Sequence, residues 1–192
     1  VMIDGDSVSG WGNKRVSDLL KGKPSTKPRV VVIRPYTEGN LTFDITREKI
    51  NINPVPYYGV IRGNIGYIGL NTFSQKSADA VRDALLELRA NPAVKFIALD
   101  LRGNGGGLLE SAVQIVGMFV PKGTQVLQTR GRFKQQEKTY KTTQEPIDTE
   151  IPLVVMIDGG SASAAEIVAG SLQDLDRAVI VGARSFGKGL VQ

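Results

Sequence analysis

Phe96-Ile-Ala-Leu-Asp-Leu101, followed at once by Arg102-Gly-Asn-Gly-Gly-Gly107, decides the fold. A short apolar run without alternation reads as a strand buried on both faces, the mark of a largely parallel sheet with crossover helices. The arrangement recurs downstream. Leu153-Val-Val-Met-Ile157 runs into Asp158-Gly-Gly-Ser161 and then a helix to about Leu172; Ala178-Val-Ile-Val181 runs into Gly182. A helix from about Leu108 to Phe119 follows the first glycine loop. Upstream, Ile65–Leu70 reads as a strand and Ser77–Ala90 as a helix with Ala78, Val81, Leu85 and Leu88 on one face. The fold class is therefore α/β. In open parallel sheets the functional loops lie beyond the C-terminal strand ends. The loops Gly103–Gly107, Gly159–Ser163 and Gly182–Lys188 are thus expected to converge.

Two zeros in the composition narrow the chemistry. Cys is absent, which excludes disulfides, thiolate catalysis and cysteine-ligated zinc. His is absent too, so there is no Ser-His-Asp triad, no His-ligated metal and no His base. Acid–base chemistry near neutral pH must come from a shifted Lys, Asp, Glu or Tyr. No cofactor or metal site is expected. No apolar run reaches the roughly 18 residues of a membrane span, and no signal peptide is visible. The chain opens at Val1 inside what reads as a strand, so a targeting segment is expected to lie ahead of it. The net charge of +5 is moderately basic. Its clearest basic stretch, Arg130 to Lys141 with Phe133 and Tyr140, reads as a solvated β-hairpin or loop. It carries no nucleic-acid motif, so no nucleic-acid partner is expected.

Residues 1–35 read as a small separate unit. A strand end and turn at Val1–Gly5 precede a short helix, Arg15 to Lys21, with Val16, Leu19 and Leu20 on one face. Gly22-Lys-Pro24 stops it, and Arg29–Arg34 is a strand closed by Pro35. Residues 36–60 read as a connector in which Leu41–Ile45 alternates as a strand does.

Two residues carry chemistry. Ser163, in Gly160-Ser-Ala-Ser-Ala-Ala-Glu166, forms a capping box with Glu166. The same geometry serves a nucleophile, because a helix start offers N–H groups and a positive dipole end to developing negative charge. Lys188, in Ser185-Phe-Gly-Lys-Gly189, is either a surface lysine in a glycine turn or a general base. A lysine ordinarily titrates near about 10.4, whereas a base is best near about 7–8. The base reading therefore requires dry surroundings, which Phe186 and the flanking apolar strand are expected to supply. Gly182–Lys188 also fits the phosphate-loop pattern G-x-x-x-x-G-K. However, Gly189 stands where that loop needs a hydroxyl. Arg102–Gly107 misses the dinucleotide pattern, since Leu108 takes the last glycine position. It reads better as backbone N–H groups offered to an oxyanion.

Three motifs stand in order: Asp100-Leu-Arg-Gly-Asn-Gly-Gly-Gly-Leu108, Gly160–Ile167 and Phe186-Gly-Lys-Gly-Leu-Val-Gln192. Together they resemble the C-terminal processing (tail-specific) peptidases, the S41 serine protease family. Residues 1–35 resemble the C-terminal half of a PDZ domain, and residues 36–192 the peptidase core, cut short at its C-terminus. An unrelated β-α-β appendage is the other reading of the first stretch. The resemblance implies a crotonase-like (ClpP/crotonase-type) core. It implies Ser163, not Ser161, as nucleophile and Lys188, 25 residues on, as base. It also implies Gln192 as the residue that orients the lysine, and the N–H groups of Ala164 and Gly107 as the oxyanion hole. Asn104-Gly105 departs from the family's usual Asn-Pro or Asn-Ser, which loosens the choice of glycine. The implied activity is a serine endopeptidase acting near substrate C-termini, with peptides taken up by the PDZ domain and the active-site cleft. A regulatory adaptor, membrane association through segments outside this sequence and a bacterial periplasmic or cell-envelope location are implied as well. The 192 residues alone are expected to be a poor enzyme. Two other readings stay open: a non-catalytic PDZ-containing peptide-binding or scaffold module, and a nucleotide-binding protein.

Overall fold

The helix at Ser77–Ala90 and the three apolar strands all form where their patterns put them, within a chain that divides into two units at 52/53. A computed structural model describes residues 2–49, 53–131 and 137–190.

In the first unit β1 (Met2–Ile3) turns into β2 (Asp6–Ser7) through Asp4 and Gly5. Both turn residues have positive φ, 51° and 93°, as a tight hairpin turn requires. Helix α1 (Asn13–Leu20), β3 (Arg29–Ile33) and β4 (Asn40–Asp44) follow, and the sheet order is β2-β1-β3-β4. Arg47 closes the unit. Its guanidinium donates to the Leu19 and Leu20 carbonyls at 2.7 and 2.8 Å and to Thr26 Oγ1 at 2.8 Å. Those carbonyls are among the four that a helix leaves unpaired at its end. The expected boundary at 35/36 is corrected here. β3 pairs with β4 from Arg29↔Asp44 to Ile33↔Asn40, so residues 36–44 are the turn and outer strand of this sheet, not a connector.

The second unit comprises β5 (Tyr57–Ile61), β6 (Ile65–Gly69), α2 (Ser77–Ala90), β7 (Phe96–Asp100), α3 (Leu109–Val116), β8 (Gln125–Thr129), β9 (Lys138–Lys141), β10 (Leu153–Ile157), α4 (Ala164–Asp174) and β11 (Val179–Gly182). Its sheet runs β11-β10-β7-β6-β5. The first four are parallel, and β5 returns antiparallel to β6. This is the mixed α/β architecture that the apolar runs predicted. β8 and β9 pair separately as a ribbon. The basic stretch contains β9; its residues 132–136, Phe133 included, lie outside the described residues.

One face of the sheet makes the core. Ile68, Ile97, Leu99, Leu153 and Val155 join one buried cluster with Val81, Leu85 and Leu88 of α2, Ile115 of α3, and Val168 and Leu172 of α4. The other face corrects an expectation. Register aligns Tyr67, Ala98, Val154 and Val179, whose side chains therefore share a face. On that face Phe96, Val179 and Val181 are 43%, 64% and 47% exposed. The strands are covered on one side and partly open on the other.

A polar knot ties the helix ends at the base of this core. The Asp148 carboxylate meets the Arg89 guanidinium at 2.6 Å and accepts the Glu150 and Ile151 N–H groups, both at 2.7 Å. Arg177 donates to the Phe119, Asp148 and Ile151 carbonyls. Burial pushes the Asp148 pKa up, but the Ile151 and Glu150 N–H groups and the charges of Arg89 and Arg177 outweigh it and hold it below the ordinary range. A folded-state pKa below the unfolded value contributes stability above the ordinary Asp range and loses it as pH falls through that range. Between about pH 6 and 3 the urea midpoint should therefore fall more steeply for the native protein than for Asp148→Asn. Parallel curves for the two proteins would contradict this account.

Candidate active site

The loop after β7 is pinned from inside by Asn104, which is fully buried. Its Nδ2 donates to the Leu70 carbonyl at 2.7 Å and its Oδ1 accepts the Gly106 N–H at 2.9 Å. Its own carbonyl accepts the Ala162 N–H at 3.0 Å. Asn104 thus joins the end of β6 to the loop after β10. Asp158 Oδ1 adds a second tie by accepting the Gly103 and Gly160 N–H groups at 2.8 and 2.9 Å. Those N–H groups, Gly103 first, hold the Asp158 pKa low despite some burial.

Glycine is dictated at two positions. A Cβ on Gly106 would lie 2.7 Å from both the Ala162 carbonyl oxygen and Ser163 Cβ, and the φ there is 97°. A Cβ on Gly107, at φ 144°, would run into the Phe73 carbonyl. That close approach is the bridge in which Phe73 N–H donates to Gly106 O and Leu108 N–H donates to Phe73 O. The Gly106 N–H is consumed by Asn104. The Gly107 N–H has no hydrogen-bond partner among the described residues.

The two serines after β10 have different environments. Ser161 is fully buried, donating to the Leu101 carbonyl at 2.7 Å and accepting the Asp158 N–H at 3.0 Å. Ser163 is only half-buried and sits directly before α4 with φ 56° and ψ −115°. A non-glycine residue there costs on the order of 1–3 kcal/mol, a strain that persists only where the surroundings over-determine it. Ala164 opens the helix, and its N–H is one of the four that a helix leaves unpaired at its start.

Glu166 is the residue whose reach the sequence reading missed. In the sequence it reads only as the helix cap, and it does accept the Ser163 N–H, at 2.8 Å on Oε2. The same Oε2 accepts the Lys188 N–H at 3.1 Å. Oε1 accepts the Ser185 hydroxyl at 2.8 Å and the Gly187 N–H at 2.6 Å. Burial pushes this carboxyl up, yet the donors of Ser163, Gly187, Lys188 and Ser185 together bring it below its ordinary value. Phe186 N–H also donates to the Ser161 carbonyl at 2.9 Å. The three loops therefore converge, and Ser163 and Lys188 share one carboxylate oxygen. The Gly187 and Lys188 amides face that carboxylate, which a phosphate-binding loop would leave for its anion. Lys188 is half-buried. Phe186 is 68% exposed, so it is not the dry wall expected of it; its side chain points out of the packed loops. Gln192 lies outside the described residues.

Beside these loops lies a polar cavity of about 400 Å³ lined by Tyr67, Gly69, Asn71, Asp100, Arg102 and Asp158, among others. Arg102 holds Asp100 through both Nε and Nη2, the latter at 2.6 Å, and Tyr67 Oη donates to Asp100 Oδ2 at 2.8 Å. Asp100 is thus an ion-pair partner. No cluster of three or more Asp, Glu, His or Cys suited to a metal occurs among the described residues.

The sequence model for peptidase family S41 matches residues 64–192. This chain belongs to peptidase family S41. The S41 chain is 36% identical to a chloroplastic C-terminal processing peptidase of Tetradesmus obliquus, covering all of this chain and 44% of that protein. It is 34% identical to the carboxy-terminal processing protease CtpA of Bacillus subtilis, covering all of this chain and 40% of that one. Among solved structures, a photosystem II D1 C-terminal processing protease aligns with a TM-score of 0.65 at 35% identity, over all of this chain and 52% of its own. The S41 chain thus spans less than half the length of these curated relatives.

Gly105 separates the glycine roles experimentally, since a Cβ there meets nothing within 4 Å. Gly106→Ala should shift the Ser163 and Ala164 backbone amide resonances and lower the melting temperature. Gly105→Ala should leave both near native values. Equal effects from the two substitutions would contradict the close packing of Gly106 on Ser163.

Proposed function

We propose that this S41 chain carries the catalytic core of a serine endopeptidase, with Ser163 as nucleophile and Lys188 as general base. One observation supports it above the others. The strained serine at a helix start and the lysine of a separate loop have their amides bonded to the same carboxylate oxygen, Glu166 Oε2. With no imidazole in the chain, an amine is the base within reach of the sequence.

In this reading Ser163 Oγ attacks the scissile carbonyl while the Lys188 amine takes the hydroxyl proton. The tetrahedral oxyanion is stabilised by the Ala164 and Gly107 N–H groups. Collapse breaks the C–N bond, and the lysine ammonium gives its proton to the departing amine. The acyl group is then on Ser163, and water activated by Lys188 releases it as a carboxylate. Gln192 orients the lysine amine. The core is crotonase-like, and the first unit, with β3 and α1, is the C-terminal half of a PDZ domain. Such a domain captures a peptide by adding it as a strand to a sheet edge, which fits protein substrates recognised near their C-termini. An adaptor and a cell-envelope location belong to the same reading. No helix among the described residues is long and apolar enough to cross a membrane.

Fluorophosphonate labelling of the full-length protein tests the assignment. Ser163→Ala should abolish labelling and peptide cleavage together. Ser161→Ala should keep labelling at Ser163 but lose on the order of 1–3 kcal/mol of stability, because its hydroxyl satisfies buried backbone groups. Labelling that survives in Ser163→Ala, or an intact protein that never labels, would favour the non-catalytic binding module instead.

A further inference from the structure

We infer that Glu166 is a positioning residue, whose carboxylate latches the Ser185–Lys188 loop onto the start of α4 and so sets where Lys188 stands. The inference rests on the dyad proposed above for its catalytic meaning, but its geometry is independent of it.

A helix cap needs one bond from Glu166, the one to the Ser163 N–H. The carboxylate makes three more, all to a segment 19 to 22 residues further along the chain. An ionised carboxylate is acceptor-only and offers about four lone-pair sites. Four donors occupy it here, two on each oxygen. Bonds to a charged acceptor are roughly twice as strong as neutral ones. The loop it holds is irregular from residue 183 to 190, and Gly187 and Gly189 both sit at positive φ, 81° and 56°. At Gly187 this backbone turn brings two successive amides toward one carboxylate. Other described backbone bonds hold the loop upstream, Ala183 N–H to Ile157 O and Phe186 N–H to Ser161 O. Past Phe186 the backbone N–H groups of Gly187 and Lys188 both donate to Glu166.

Charge and shape are both required. Glutamine has the same length, but one of its two ends is an NH₂ group that would face the N–H donors. Glu166→Gln therefore leaves either the Ser163 and Lys188 pair or the Ser185 and Gly187 pair facing a donor.

Amide hydrogen exchange in the full-length protein reads this without any proteolysis. In Glu166→Gln whichever of the Gly187 and Lys188 amides faces the NH₂ group should exchange about tenfold to a hundredfold faster, since a lost bond to a charged group is worth one to two decades, and the other should speed less. Fluorophosphonate labelling of Ser163 should slow in the same variant. Ser185→Ala removes one of the four donors and keeps the carboxylate. It should speed exchange at Gly187 and Lys188 only a fewfold, and it serves as the milder variant should the glutamine one fold poorly. A cap alone would show the reverse pattern: faster exchange in the first turn of α4 with Gly187 and Lys188 unchanged in both variants, which overturns the inference. A protein whose loop loosens as predicted but which never labels at Ser163 would keep the latch and overturn the dyad.

Discussion

One carboxylate oxygen, Glu166 Oε2, accepts the backbone N–H groups of both residues of the proposed dyad. Everything else in the second unit can be understood as holding that oxygen still. Its helix is anchored through Ala165, Val168 and Leu172 in the core. The turn before it is held by Asn104, Asp158 and Ser161, each bridging strands that are distant in sequence. A serine forced to φ 56° persists because so many bonds around it agree on its position.

The parallel sheet explains why these groups meet. β6, β7, β10 and β11 run in one direction, so the loops that follow them leave from one edge. Glycine then lets those loops press together. At Gly106 the neighbour is Ser163, and at Gly107 it is the Phe73 carbonyl. At Gly182, with φ 126°, a Cβ would strike the Ile157 carbonyl, and that approach is how the chain leaves β11 for the lysine loop. A side chain at any of the three would drive the loops apart.

Much of this was legible in the residues. The continuous apolar runs located β7, β10 and β11, and the helical spacing located α2 to the residue. Ser163 and Lys188 were legible as candidates because the chain has no histidine or cysteine to compete with them. Less legible was anything that depends on a partner far away in sequence. β4 was seen as a strand, yet its pairing with β3 across a turn, and hence the unit boundary, was not. The apolar runs of β7 and β10 do not say what covers each face, and one face proves partly open. Glu166 looked like a local cap because its nearest donor is three residues away. Its other donors lie in a loop that local pattern cannot connect to it. Phe186 reads as a packing residue from its hydrophobicity, yet its side chain stands exposed while its N–H donates to the Ser161 carbonyl.

The central claim is that a helix-start hydroxyl is the atom that becomes acylated. Full-length protein mixed with a cleavable ester or peptide, quenched in acid during the first turnover and digested, can be mapped by mass spectrometry for the acyl adduct. The account predicts the adduct on Ser163. An adduct carried by Ser161 or by any other residue would contradict it.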